Sequence, residues 1–372
     1  MSEHLAGSYE ELSAQAQQHL QVNEYDQAQK IYERIYNRLG KMKAEVIKRR
    51  PNLQQLKLTS LSMLGDLAGL HGNYDQAITY YQAGLEISPE NLVYRRAIAQ
   101  AKIDRGDIEI GLDELRTLAV MNAGDARPWI WLGLELWVQG NLAEATENLE
   151  RVTTLSGSSP EHRSEAFSYL HDLYREAKRW PEAEAAWKQV WHTAGRKIED
   201  VSPLYQMYWE ADDLSQARSW LKQEKNPLRV GFYQGLFFHS EGNAKKAATA
   251  WSKTAAQNPL EHDSGHEAWA EAALRTQADP ETVIEVIRTV VTRRQINIRT
   301  TILLAAAQLR AGRIDSAELA LKAALEMGHR ARPRLDQLSK DHWRLFTELG
   351  GEQATTDQLK QHFEIIEEEA GE

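Results

Sequence analysis

The sequence predicts an all-α protein, a solenoid of stacked antiparallel helix pairs, and three observations predict it. A small residue recurs at Ala28, Ala77, Gly111, Ala145, Ala183, Ala217, Ala247, Val283 and Ala317, with gaps of 49, 34, 34, 38, 34, 30, 36 and 34 residues. Large groups stand four residues after each mark (Tyr32, Tyr81, Leu115, Leu149, Trp187, Leu221, Trp251, Ile287, Leu321). Three residues before it stand Tyr25, Tyr74, Ile108, Leu142, Trp180, Leu214, Ala244, Pro280 and Ile314. Spacings of three, four and seven place these positions on one helical face. Glycine recurs five residues before the mark, at Gly72, Gly106, Gly140, Gly242 and Gly312, where one helix must stop and the chain must turn. Each repeat therefore reads as two short helices joined by a tight turn. A hairpin this thin cannot bury its own apolar face and must stack on its neighbours.

Taken in order, residues 1–42 hold the first repeat, marked by Ala28. Residues 43–57 are an insert of 15 residues, basic at Lys48-Arg49-Arg50 and interrupted by Pro51. Residues 58–327 hold eight further repeats. The copy from Leu58 to Asn91 is the plainest. It carries Leu61, Leu64-Gly65 and Leu67, then the turn Gly72-Asn73-Tyr74-Asp75-Gln76-Ala77, then Tyr81 and Leu85, and closes at Ser88-Pro89. The copy from Ala126 to Ser159 repeats it with Trp129, Leu132-Gly133, Gly140, Leu142, Ala145 and Leu149. The loop Ser156-Gly157-Ser158-Ser159-Pro160 accounts for the 38-residue gap, and a helix cut short at Asn226-Pro227 for the 30-residue one. After Met327 the register breaks. Gly328 to Pro333 reads as a loop, and Leu335, Leu338, Trp343, Leu345 and Phe346 as a capping helix within 328–350. Residues 351–372 read as an acidic helix or tail ending in Glu367-Glu368-Glu369.

Composition excludes several classes of function. The 44 Lys+Arg against 54 Asp+Glu give a formal charge of −10, which argues against nucleic acid or an anionic membrane as the principal partner. With zero Cys there is no disulfide framework, thiolate metal site or cysteine nucleophile. Met1 to Ser8 shows neither a cationic nor an apolar signal region, and the most apolar stretches, Trp129 to Val138 and Ile302 to Ala307, fall short of the ~20 residues a membrane helix needs. A cytoplasmic location is the expectation. No phosphate-binding glycine loop, nucleophile elbow or H-E-x-x-H motif is present. His262 and His266, with Asp263 and Glu267, are the one His/carboxylate cluster, at an i, i+4 spacing that would suit a metal if a helix already began there. Asn258-Pro259-Leu260 before it and Gly265 within it instead indicate a loop, so no metal and no cofactor is expected.

The residues of the Leu58 and Ala126 copies resemble the tetratricopeptide repeat family, whose 34-residue unit carries W-x2-L-G and a later small residue and aromatic. The resemblance covers about nine repeats from Tyr9 to Met327, two or three of them close matches. It implies a right-handed superhelix with first helices lining the concave side. On that implication, Arg96, Gln100, Arg127, Asp172, Arg175, Gln206, Phe232, His239, Arg299 and Arg310 face the groove. Trp137 and Trp209 lie near the ends of first helices, placed either to anchor a partner's side chain in a desolvated pocket or to pack on the next repeat. Some members of the family clamp a carboxyl terminus with Lys and Asn. Ser13, Gln17, Ser62 and Asp66 occupy those places here, which does not support such a clamp.

The leading expectation is a non-enzymatic scaffold that binds another protein, as a peptide or helix, in the concave groove. The alternative is a structural assembly subunit acting through its convex face or ends, including self-association. A metal-dependent enzyme built on His262 and His266 is the remaining, weaker alternative. Nucleic acid and membrane insertion are not expected, and nothing in the sequence sets the oligomeric state.

Overall fold

All nine second helices begin three residues before their register mark. The chain's computed structural model describes residues 2–21, 24–193, 195, 200–291, 297–331, 340–351, 353, 355–359 and 361, and helix is the only regular structure among them. The paired helices are α1 (Ser2–Gln21) with α2 (Tyr25–Gly40), α4 (Pro51–Leu70) with α5 (Tyr74–Ile87), α6 (Leu92–Arg105) with α7 (Ile108–Met121), and α8 (Ala126–Val138) with α9 (Leu142–Thr154). They continue as α10 (Pro160–Glu176) with α11 (Trp180–Thr193), α12 (Ser202–Glu210) with α13 (Leu214–Leu221), and α14 (Pro227–Ser240) with α15 (Ala244–Ala255). The last pairs are α16 (His266–Arg275) with α17 (Pro280–Val291) and α18 (Ile298–Arg310) with α19 (Ile314–Ala331). Two helices stand outside the pairing, α3 (Ala44–Lys48) and α20 (Lys340–Leu349). The insert of residues 43–57 thus supplies α3 and the opening turns of α4, with Pro51 at the start of that helix, where its missing N–H is no loss.

Every register mark is buried, and so is the position twelve residues before it on the first helix. Six hairpins keep that earlier position small, with Ala16, Gly65, Ala99, Gly133, Gly235 and Ala305. A Cβ at Gly65 would sit 2.3 Å from the Tyr81 ring, so two helices of a pair approach until glycine meets the large residue four beyond the mark. The other three hairpins carry His171, Tyr205 and Glu271 there. In the eight hairpins whose turn lies among the described residues, the chain passes between the helices through a left-handed residue. Gly72 has φ +73°, and the equivalent Lys178 and Asp212 adopt φ of +57° and +58° without glycine's freedom. Side-chain caps then start several second helices, as where Asn141 accepts from Glu144 N and Asp213 from Gln216 N.

The chain forms two compact units, Met1–Trp137 with Asn141–Ala166, and Val138–Gly140 with Phe167–Glu372. In the first, Tyr32, Ile35, Leu39, Leu53 and Leu64 form one core beneath α1, α2 and α4. In the second, α16 to α20 share a core containing Trp269, Ile287, Leu303, Leu321, Trp343 and Phe346. Helix α20 lies against α16 and α18, where the sequence places a cap. The loop expected from Gly328 differs: α19 runs on to Ala331, because nothing in Gly328-His329-Arg330-Ala331 outweighs continuation of a helix already formed. Arg332, Pro333, Leu335 and Leu338 lie outside the described residues, as does most of the expected C-terminal helix, of which 355–359 are helical. No described helix is long and apolar enough to cross a membrane.

Candidate functional site

First helices of successive hairpins in the second unit line a concavity of about 940 Å³, which brings together Arg175 (α10), Gln206 and Trp209 (α12), Phe232 and His239 (α14), and Arg299 (α18). Helix α16 contributes Glu267, Glu271 and Arg275 to its wall, and α20 contributes Arg344 and Glu348. The register explains the convergence. A first helix is held against its partner at its small or buried residue, and Arg175, Trp209 and His239 each stand four positions after that residue (His171, Tyr205, Gly235), one turn further along the same side of successive first helices.

Aromatic groups form the floor. Phe232 is fully buried and its carbonyl accepts a hydrogen bond from Trp251 Nε1 at 3.1 Å, so its ring supports the surface rather than standing out of it. Tyr233 packs its ring 4.7 Å from Tyr205 and 5.1 Å from Phe232, and its hydroxyl is bonded to Gln206. Burial pushes the Tyr233 hydroxyl up to about 12, with the Arg299 guanidinium pulling against that and Glu271 adding to it. Half-buried Trp209 presents an edge to Phe237 at 5.0 Å, and exposed His239 lies 5.8 Å from Trp251.

Arginines and carboxylates hold one another across the walls. Glu271, 2% exposed, accepts from Arg275 Nη2 at 2.8 Å and Nε at 3.0 Å, and also pairs with Arg299 of the next hairpin. Burial works against the Arg299 charge, but Glu271, Tyr233 and Glu267 outweigh it and hold the guanidinium above its ordinary value. Arg275 reaches on to Glu348 Oε2 at 3.1 Å. Arg175 Nε meets Glu210 at 3.0 Å, with Asp172 at 3.9 Å on its other side. Next to these, the Tyr205 hydroxyl donates to Glu224 at 3.2 Å, and Arg229, which lines the concavity, lies 3.3 Å from Asp200 and 3.4 Å from Glu224. Such a surface offers aromatic edges and fixed guanidinium groups to a ligand, with little freedom to lose on binding.

The remaining groove residues lie elsewhere. Asp172 stands beside Arg175 but does not line the concavity. Arg310 faces a separate 630 Å³ hollow with Gly350 and Gly351. It donates to the Leu274 carbonyl at the end of α16, and burial lowers its pKa. In the first unit, Arg96 lies 5.7 Å from the Trp131 ring, Gln100 donates to Asp104 at 3.0 Å, and Arg127 is paired with Asp125. Trp137, with two readings open in the sequence, is 5% exposed, which decides for packing and against a surface anchor. His262 ends a 3₁₀ turn and His266 opens α16. Among the described residues no three His, Cys, Asp or Glu side chains converge as a metal site, and Glu267 is held by Asn297 Nδ2 at 2.6 Å and Thr300 Oγ1 at 2.7 Å.

Sequence reasoning missed Glu271, Tyr205, Tyr233 and Arg275. The register carried a signal for two of them: Tyr205 and Glu271 interrupt a column of alanine and glycine, twelve residues before the mark.

One tetratricopeptide repeat model matches residues 58–91 and another residues 96–160. Over 109 residues the chain is 32% identical to human tetratricopeptide repeat protein 7B, a match taking in 29% of this chain and 13% of that protein, so the chain covers only a small part of that relative's length. Among solved structures, a tetratricopeptide repeat protein from Parabacteroides merdae ATCC 43184 aligns with 92% of this chain and 98% of its own, at 14% identity and a TM-score of 0.37. The pilF protein of Pseudomonas aeruginosa aligns with 54% of this chain and 92% of its own, at 18% identity and a TM-score of 0.39.

Proposed function

Because this chain is a tetratricopeptide repeat protein, we propose that it is a non-enzymatic scaffold that seats a peptide or helix of another protein in the concavity of its second unit. Repeats of this family generally mediate protein–protein interaction. The observation that carries the reading is the convergence of Arg175, Gln206, Trp209, His239 and Arg299 from four first helices on one 940 Å³ concavity. Their chemistry suits a partner segment with an apolar or aromatic anchor for Trp209 and a carboxylate or carbonyl for the arginines. Arg310 and the first-unit residues Arg96, Gln100 and Arg127 are secondary contacts in this proposal, and Trp137 is left out.

The test is affinity capture from native extract, followed by a binding measurement with the captured partner. Wild type is compared with a Trp209→Ala/His239→Ala variant, whose side chains are half-buried and exposed. The variant should keep its helical circular dichroism and lose about tenfold or more in affinity, since aromatic anchors carry a large share of interface energy. Undiminished binding would remove the concavity from the proposal.

A further inference from the structure

We infer that the basic stretch 30–57 is an interaction surface for the acidic segment 362–372 of a second copy of this chain. The stretch holds nine basic residues against two acidic ones, a net of +7 in a chain of −10, which leaves −17 for the remainder. Lys30, Arg34, Arg38, Lys41, Lys43, Lys48, Arg49 and Arg50 are all exposed, and among the described residues none of them has an ion-pair partner. Elsewhere guanidinium groups are regularly paired, as at Arg116 with Glu144 and Arg313 with Glu281. Lys30, Arg34, Arg38 and Lys41 recur at helical spacing, so one face of α2 and the turn after it carry a cationic stripe about 16 Å long. The triplet Lys48-Arg49-Arg50, at the end of α3 and just after it, adds three more exposed cations within the same stretch of sequence.

The occupant follows from the size and sign of the surroundings. The aromatic groups of α2 are turned inward, Tyr32 fully and Tyr25 and Tyr36 in part, so the surface has no stacking platform for bases. A duplex is stiff over about 150 base pairs, and an anionic bilayer is extended. Either would also meet the −17 of the remaining chain. A short acidic peptide covers the patch alone. The sequence contains one such segment, with Glu364, Glu367, Glu368, Glu369 and Glu372 and no Lys or Arg between 362 and 372. A patch on one copy and a segment on the next make a heterologous contact. The inference does not depend on the concavity.

Sedimentation of the full chain over a concentration series tests it, with wild type, Lys48→Glu/Arg49→Glu/Arg50→Glu, Glu367→Lys/Glu368→Lys/Glu369→Lys, and the combination of both sets. Wild type should associate with rising concentration. The association constant should fall about tenfold from about 0.1 M to about 1 M salt, as the screening length shortens from about 10 Å to about 3 Å. Each single set should weaken association about tenfold, and the combined variant, with both charges exchanged, should recover it. A wild type that stays monomeric at low salt would overturn the inference. So would compaction independent of concentration, or a combined variant no better than the single sets. Helical circular dichroism of the combined variant controls for folding.

Discussion

Gly235 lies directly beneath Trp251: a Cβ at Gly235 would stand 2.2 Å from the indole Nε1, which donates to the Phe232 carbonyl on the same first helix. Space for the indole exists because the first helix has no side chain there. This contact fixes the distance between α14 and α15 and, through Phe232, the floor of the concavity.

Gly235→Ala should therefore destabilise by about 1–3 kcal/mol, the range for overpacking a close contact. Urea denaturation monitored by circular dichroism checks it. An unchanged midpoint would show that the helices can separate without loss. The substitution should also weaken partner binding, since the indole cannot move without disturbing Phe232.

Lys178 and Asp212 hold the left-handed turn position that glycine fills at Gly72, Gly106, Gly140, Gly242 and Gly312. Lys178→Gly and Asp212→Gly should each stabilise by about 0.5–1 kcal/mol, relief of backbone strain outweighing the added freedom of the unfolded chain. The gain should be smaller at Asp212, since aspartate tolerates this conformation better than lysine. Chemical denaturation of each variant measures both. A loss at both sites would mean that their side-chain contacts matter more than their φ.

His171 is 1% exposed, with Nδ1 at 2.9 Å from the Ala183 carbonyl and Nε2 buried without a partner. Its ring lies 5.2 Å from that of Trp187. Burial lowers its pKa from 6.5, opposed by the Ala183 carbonyl and Asp172 and assisted by Arg175. The unfolded chain then binds the proton more readily than the folded one, so His171's contribution is full above pH about 6.5 and declines as pH falls below it. Between pH 7 and pH 5, wild type should lose more stability than His171→Ala, with quenching of tryptophan fluorescence in wild type alone. Parallel pH profiles would remove His171 as the cause.

Much of the fold was legible because hairpins repeat a local demand. The positions three before each mark, from Tyr25 to Ile314, begin the second helices, since each must start where the left-handed turn ends. Which side chains line the concavity was legible where the same count applies, as at Gln206, Trp209 and His239. It missed side chains whose role depends on distant partners. Glu271 reads as an ordinary helix-surface glutamate. Its burial is matched by two guanidinium groups, Arg275 one turn on and Arg299, 28 residues on, and the second of these is not visible from the helix alone. Trp137 and Trp209 share a register position, yet the first is buried and the second lines the concavity, because exposure there depends on neighbouring hairpins and not on the repeat itself.

Helix α20 touches both α16 and α18, and Glu348 on it is bonded to Arg275 on the far side of a whole hairpin. An array held only by adjacent contacts would fray one hairpin at a time when stretched. Here the last two hairpins are fastened by a shared clasp, so pulling from that side must break several contacts in a single step before anything unravels.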